Sequence, residues 1–112
     1  MILSFALTEK EFLSGTKTET RRNWSDRTLR SLQKAWDEGR LVHTAVNRGL
    51  HRGGKVIGQL KLTARPERQA LFFMTDDNLR REGDMCATVA EFCALVEHRS
   101  EKQMAVIKFV KV

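Results

Sequence analysis

The chain has few of the residues that mark several large classes of protein. Its 112 residues include no tyrosine, one proline and two cysteines. No apolar run approaches the ~18 residues that a membrane-spanning helix needs. The opening segment, M-I-L-S-F-A-L-T-E-K, has no basic region ahead of its apolar stretch, so it does not resemble a signal peptide. These absences predict a cytoplasmic protein without a membrane segment.

The two cysteines, Cys86 and Cys93, lie in a segment that we expect to form one helix. Two positions seven residues apart on a straight helix are separated by ~10 Å, which is too far for a disulfide. The sequence has no C-x-x-C pair, and none of His43, His51 and His98 lies near an acidic residue or a cysteine at metal-binding spacing. We therefore expect reduced thiols, no metal site and no cofactor.

The positive charge is concentrated in one part of the chain. A content of 41% hydrophobic and 30% charged residues is typical of one globular domain, here residues 1–112. The formal net charge is +6, but residues 17–68 carry 13 Lys and Arg against 5 Asp and Glu. Such a basic half suggests a polyanionic partner, most simply nucleic acid. The alternative is a solvated basic surface that serves solubility.

Hydrophobic periodicity and end signals predict about five strands and three or four short helices. We expect strands at 1–6, 16–22, 41–47, 55–64 and 104–112, and helices at about 9–14, 27–38, 75–81 and 89–96. Residues 69–74 read as a further strand or a packed connection. Capping boxes are expected at Thr8 with Glu11 and at Thr88 with Glu91. Phe12 and Leu13 should face inward. The order of elements favours an α+β protein built on a small mixed barrel with flanking short helices.

The stretch Gly15–Trp24, G-T-K-T-E-T-R-R-N-W, is the most unusual part of the chain because it is polar throughout except for its tryptophan. Its threonines favour an extended backbone. On a regular strand, alternation places Thr16, Thr18, Thr20 and Arg22 on one face and Lys17, Glu19 and Arg21 on the other. Such a strand is either a solvated edge or a binding surface.

Three motifs resemble those of the ASCH domain family, small relatives of the PUA RNA-binding barrel. The pattern G-x-K-T-x-T-x-R, after a short helix, is matched by Gly15, Lys17, Thr18, Thr20 and Arg22. The stretch G-G-K-V-I-G-Q-L-K-L-T (53–63) resembles the family's central strand pair, and E-G-D-M-C-A-T-V-A-E-F (82–92) resembles its E-G turn and following helix. The resemblance implies a PUA-like barrel; because the family is functionally mixed, it leaves the activity open.

One interpretation of these residues is a basic cleft that binds RNA or a nucleotide. Arginine forks and threonine hydroxyls suit phosphate and sugar, and an exposed tryptophan can stack on a base. The residues expected to take part are Lys17, Thr18, Arg21, Arg22, Trp24, Arg48, Arg52 and Lys55. For the last three, the alternative is an ordinary solvated hairpin tip. For the whole basic face, a further alternative is binding to an acidic protein.

The other interpretation is catalytic, and it comes from the resemblance. One ASCH branch resembles amidohydrolases that remove the acetyl group from N4-acetylcytidine with a Lys, a Thr and a Glu, which implies roles for Lys17, Thr20 and Glu82. A lysine with a lowered pKa can deprotonate the threonine, and a carboxylate can pass the proton to the leaving amine. On a regular strand Lys17 and Thr20 face opposite ways, so a bulge is needed to bring them together. Glu82 as a paired surface carboxylate and Lys17 as a solvated charge are the simpler alternatives. The helix within residues 25–38 and Gly39-Arg40 before Leu41 depart from the compact deacetylating enzymes.

Overall fold

A computed structural model of the protein describes residues 1–83, 86, 88–96 and 101–112. The regular elements in chain order are β1 (Ile2–Ser4), α1 (Glu9–Ser14), β2 (Glu19–Arg22), α2 (Asp26–Asp37), β3 (Val42–Val46), β4 (Val56–Leu62), β5 (Glu67–Ala70), α3 (Asp76–Arg81), α4 (Val89–Leu95) and β6 (Gln103–Lys111). Two single 3₁₀ turns, at Leu50–Arg52 and Leu71–Phe73, complete the set. The fold is α+β, a curled mixed sheet that forms a half-barrel with a few short helices.

The longest strand, β6, organises the sheet. The strand order is β1-β3-β4-β6-β2, and β5 also pairs with β6. Among the strand pairs of the described residues, β1–β3 is parallel and the others are antiparallel. β2 pairs with one edge of β6, whereas β5 and then β4 share the other edge, at Gln103–Val106 and Phe109–Lys111 respectively. β6 therefore joins β2, β4 and β5 in one curled sheet. The expected central position of the C-terminal strand is confirmed.

Two hydrophobic clusters stabilise the fold. The larger one lies inside the half-barrel, where the rings of Phe5 and Phe12 stack with centroids 4.7 Å apart and the buried face of α2 closes over them. The smaller one joins α3 and α4 to the beginning of β6. Of the two residues of α1 that were expected to face inward, Phe12 is fully buried but Leu13 is 43% exposed. Neighbours on a helix point about 100° apart, so a helix this short buries only one of them.

Most of the expected helix ends are present, with one exception. Gly15 ends α1 in the left-handed conformation, at φ 79°, and the Ser25 hydroxyl accepts the amide of Thr28 at the start of α2. Thr88 likewise accepts the amide of Glu91. The prediction of a capping box at Thr8 is wrong, because the Thr8 side chain makes no capping hydrogen bond. Its backbone is not extended as a capping residue requires, and the residue itself is buried.

Several other expectations need correction. The described residues form six strands. Residues 69–74, expected to form a further strand or a packed connection, contain the end of β5 (Glu67–Ala70) and the 3₁₀ turn at Leu71–Phe73. β2 begins at Glu19 rather than at Thr16. Cys86 precedes α4, so the two cysteines do not share a helix; both are free thiols. Residues 84, 85 and 87 of the E-G motif, and His98, lie outside the described residues. Within the described ranges, no helix is long and apolar enough to cross a membrane.

Candidate functional site

Lys17 lies in the connection between α1 and β2, and the surrounding main chain fixes its position. Its amide donates to the carbonyl of Glu11 (3.2 Å). The next residue, Thr18, donates to the carbonyl of Arg81 (2.8 Å) and accepts from the amide of Phe109 (2.9 Å). Because Lys17 precedes the regular part of β2, strand alternation does not determine where its side chain points. That side chain is 2% exposed, so it is not a solvated strand charge.

The ammonium group of Lys17 is bound to Glu82, the residue that follows α3. Its Nζ lies 2.9 Å from the Oε2 atom of Glu82 and 2.6 Å from the backbone oxygen of the same residue. Glu82 is also 2% exposed, so it is not a surface carboxylate. Burial lowers the pKa of Lys17 below its usual 10.5, although the charge of Glu82 acts in the opposite direction. The pair thus combines an amine and a carboxyl group away from bulk water.

A second buried ion pair joins the first through Arg21. One guanidinium nitrogen of Arg21, Nη1, lies 3.4 Å from Glu82 Oε1 and 3.2 Å from Glu19 Oε2. Its Nη2 donates to the side-chain oxygen of Gln69 at 3.1 Å. Two buried cations, Lys17 and Arg21, therefore face two buried carboxylates. The sequence reasoning missed Glu19; the available signal was a single carboxylate in the middle of a basic run.

Thr20 lies on the opposite face of β2 from Arg21 and points toward the interior of the half-barrel. It pairs with Ile107 of β6 and is 3% exposed. Its hydroxyl oxygen accepts a hydrogen bond from Nε of Arg22 at 3.0 Å. Arg22 is held in turn by the backbone oxygen of Ser4 (2.5 Å) and by the ring of Phe5, 5.3 Å from its guanidinium carbon. The threonine hydroxyl is thus oriented by a fixed cation.

These groups meet in one cleft of about 270 Å³, which we call the Lys17 cleft. Its lining comprises Ser4, Phe5, Ala6, Leu7, Thr8, Lys17, Thr20, Arg21, Arg22, Glu82, Phe92 and Val96. All three residues of the catalytic hypothesis are in this set. No bulge in β2 is needed for Lys17 and Thr20 to line one cleft, because Lys17 lies outside the strand. The Lys17 amine donates its hydrogen bonds to Glu82, and the Thr20 hydroxyl accepts one from Arg22.

The residues of the binding hypothesis do not form one surface. The Lys17 ammonium and Nη1 of Arg21 are buried in ion pairs, so a phosphate would have to displace a carboxylate to reach either of these two groups. Thr18, Arg22 and Trp24 are half-buried, and Trp24 packs against the main core, as does Trp36. Arg48, Arg52 and Lys55 are exposed in the β3–β4 connection. In the part of the chain that the structure describes, no group of three or more His, Cys, Asp or Glu residues has the arrangement of a metal site.

Comparison of the chain with protein-family models, with curated proteins and with solved structures finds no significant match. Its function must therefore be inferred from the geometry of the site.

Proposed function

We propose that the protein is a small amide hydrolase in which Lys17, Thr20 and Glu82 perform the chemistry. One observation carries the proposal: a buried lysine with a lowered pKa is bonded to a buried carboxylate in a cleft that an oriented threonine also lines. Burying a lysine and a glutamate stabilises a fold weakly at best, since desolvation offsets the attraction between the charges. Perturbed ionisable groups in a cleft are instead typical of active sites.

The reaction starts when the neutral amine of Lys17 takes the proton of the Thr20 hydroxyl. The threonine oxygen attacks the acyl carbon of the substrate, and the proton passes to the leaving nitrogen through the Lys17–Glu82 pair. The carbon–nitrogen bond then breaks, releasing the amine and leaving an ester on Thr20. Water, deprotonated by the same pair, attacks the ester and releases the acid, and Thr20 regains its proton. The sum is one amide and one water consumed, with one amine and one acid formed.

Arg22 supports this role for Thr20. Because its Nε–H donates to the threonine oxygen, one lone pair of that oxygen is occupied and the hydroxyl proton is left free for a base. The positive charge beside the oxygen also favours the developing alkoxide. Arg22 is therefore assigned the role of holding and polarising the nucleophile.

For the substrate we propose an N-acylated nucleobase or nucleoside such as N4-acetylcytidine. The Lys17 cleft suits a small flat molecule, because Phe5, Leu7, Phe92 and Val96 supply apolar walls beside its polar groups. Lys17 and Thr20 are also both part of the ASCH-like motif G-x-K-T-x-T-x-R. The curled half-barrel also fits the PUA-like barrel that the motif implies, and we propose that assignment for the whole domain.

The test is hydrolysis of N4-acetylcytidine by the wild type and by Thr20→Val, which removes the hydroxyl and keeps the shape. We expect turnover by the wild type and a loss of at least about 100-fold in Thr20→Val, since no nucleophile remains. Thr16→Val is the matched control, because Thr16 is exposed and does not line the cleft; its rate should be unchanged. Equal rates in wild type and Thr20→Val, or no hydrolysis of any acylated nucleoside by the wild type, would refute the proposal.

RNA or nucleotide binding is a second candidate function, favoured by a different observation. Arg48, Arg52 and Lys55 are exposed together on the β3–β4 connection, and none of them makes an ion pair with a described residue. Surface cations without carboxylate partners suit a phosphate backbone. Binding at this connection is compatible with hydrolysis in the Lys17 cleft.

A further inference from the structure

A second cleft lies on the other face of the sheet from Thr20. In the register of the sheet, Arg21 of β2, Val106 of β6 and Glu67 of β5 are direct neighbours, so their side chains share one face. Lys108 and Gln69, each two residues along, share it too. The cleft above this face has a volume of about 320 Å³, and we call it the Lys108 cleft. Its lining comprises Arg21, Ala64, Arg65, Glu67, Arg68, Gln69, Asn78, Val106 and Lys108.

The lining of the Lys108 cleft is rich in hydrogen-bond donors and poor in acceptors. Four of its side chains are cationic and one, Glu67, is a carboxylate. Glu67 is already occupied by Arg65, whose Nη1 lies 3.0 Å from its Oε1. The side-chain oxygen of Asn78 likewise accepts from Thr75 at the start of α3. Each side-chain group of the lining that can accept thus already accepts at least one hydrogen bond, while several donors are unused.

Three of those donors have no acceptor among the described residues. The side chain of Arg21 is only 1% exposed, and its Nε is buried without a hydrogen-bond partner. Gln69 uses its oxygen to accept from Arg21, which leaves its amide nitrogen unbonded. Lys108 is exposed and makes no ion pair within the part of the chain that the structure describes. A buried donor without an acceptor costs about 1–3 kcal/mol, so its persistence calls for an explanation.

The neighbouring arginines are held in place by carboxylates at the rim. Arg65 is bound by Asp37 and Arg68 by Asp26, both on α2. Each guanidinium has five N–H groups, so these ion pairs do not exhaust its donors. The rim pairs instead fix the two side chains at the mouth of the cleft.

We propose that the Lys108 cleft is a binding site for a phosphate group, with Lys108, Gln69 and Arg21 as its principal donors. A phosphate supplies several acceptor oxygens and negative charge, which this lining lacks. The two clefts share Arg21, but Lys108 and Gln69 do not line the Lys17 cleft, so phosphate binding here does not require hydrolysis there. Free phosphate, a nucleotide and the backbone of an RNA strand all present the same group.

The test is a titration of the ¹⁵N-labelled protein with inorganic phosphate, in which backbone amide chemical shifts are measured by NMR. Sodium chloride is lowered as phosphate is added, so that the ionic strength stays constant. We expect saturable shifts confined to residues 21, 64, 65, 67–69, 78 and 106–108, since Pro66 has no amide proton. Lys108→Gln should weaken binding about tenfold, since one charge-assisted hydrogen bond is lost. Lys10→Gln is the matched control: it removes the same charge from an exposed residue outside the cleft, and its affinity should equal that of the wild type.

Cytidine and cytidine monophosphate then distinguish the sources of the phosphate. Tighter saturation of the same amides by the nucleotide than by inorganic phosphate, with no shift there from cytidine, identifies a nucleotide phosphate. If a short single-stranded RNA saturates these amides with higher affinity than the mononucleotide does, the bound phosphate belongs to an RNA strand. Non-saturating shifts, saturation elsewhere, or equal weakening in Lys108→Gln and Lys10→Gln would overturn the proposal.

Discussion

Lys17 is bound to both the side chain and the main chain of Glu82, a residue 65 positions away in the sequence. The same Nζ atom lies 2.9 Å from the carboxylate and 2.6 Å from the backbone oxygen. The amine of Lys17 therefore holds the connection before β2 against the turn after α3. Glu82 is shared with Arg21, which places its carboxylate between two buried cations.

Breaking this pair should destabilise the protein strongly. Glu82→Gln removes the charge and leaves Lys17 and Arg21 without their common carboxylate, so we expect a loss of about 3 kcal/mol in the free energy of unfolding. In the double variant with Lys17→Met, the loss should be smaller than the sum of the single losses by about 1 kcal/mol or more. Urea unfolding of the four proteins measures this coupling. Additive losses would show that the two residues do not stabilise each other.

The lowered pKa of Lys17 should make stability depend on pH. Between the folded-state pKa and the usual 10.5, the unfolded chain holds a proton on Lys17 that the folded protein has lost. The free energy of unfolding should therefore gain a positive contribution as pH rises through this window, and this contribution levels off above 10.5. The measurement is the difference between wild type and Lys17→Met in urea unfolding at several values from pH 7 to pH 11. A difference that does not change with pH would contradict the lowered pKa.

Replacing Gly83 should disturb the site through the backbone beside Glu82. Gly83 has φ 104°, and a Cβ there would lie 3.3 Å from atoms of Glu11 and Thr8. Gly39 is the matched control, because it also has a positive φ (76°) but open space around it. We expect Gly39→Ala to cost about 1 kcal/mol and Gly83→Ala about 2–3 kcal/mol in unfolding free energy. Thermal unfolding compares them, and equal losses would mean that crowding at Gly83 is unimportant.

If the β3–β4 connection binds RNA, its three cations should set the salt dependence of binding. Replacing Arg48, Arg52 and Lys55 together by Gln should lower the slope of log affinity against log salt by about 2 for single-stranded RNA. The matched control replaces Arg27, Arg30 and Lys34 of α2 by Gln, which removes the same number and kinds of exposed charge. Fluorescence anisotropy at several salt concentrations measures both slopes. Equal changes in the two triple variants would indicate non-specific attraction to the whole basic surface.

Local signals in the sequence were sufficient to predict most of the elements. The apolar spacing of Leu29, Leu32 and Ala35 and the polar residue at Ser25 correctly predicted α2, because a helix is specified by contacts three and four residues apart. Gly15 and Thr75 marked helix ends for the same reason. Thr8 shows where such signals fail: its capping motif is present, but the residue is buried and its backbone is not extended.

The sequence by itself determined that the chain is α+β and where its main helices and strands lie, because both follow from local patterns. The grouping of Lys17, Thr20 and Glu82 came from the family resemblance and stays a hypothesis. Only the tertiary structure decided which charges are buried. Alternation along a strand assigns faces, but it does not reveal that α3 covers Glu19 or that Glu82 reaches Lys17. Those contacts join residues about 60 positions apart, and the free energy of an ion pair depends on burial, which the whole fold creates. The polar stretch thus contributes Lys17, Glu19 and Arg21 to a buried ion-pair network, because α3, Glu82 after it and β5 all contact these side chains.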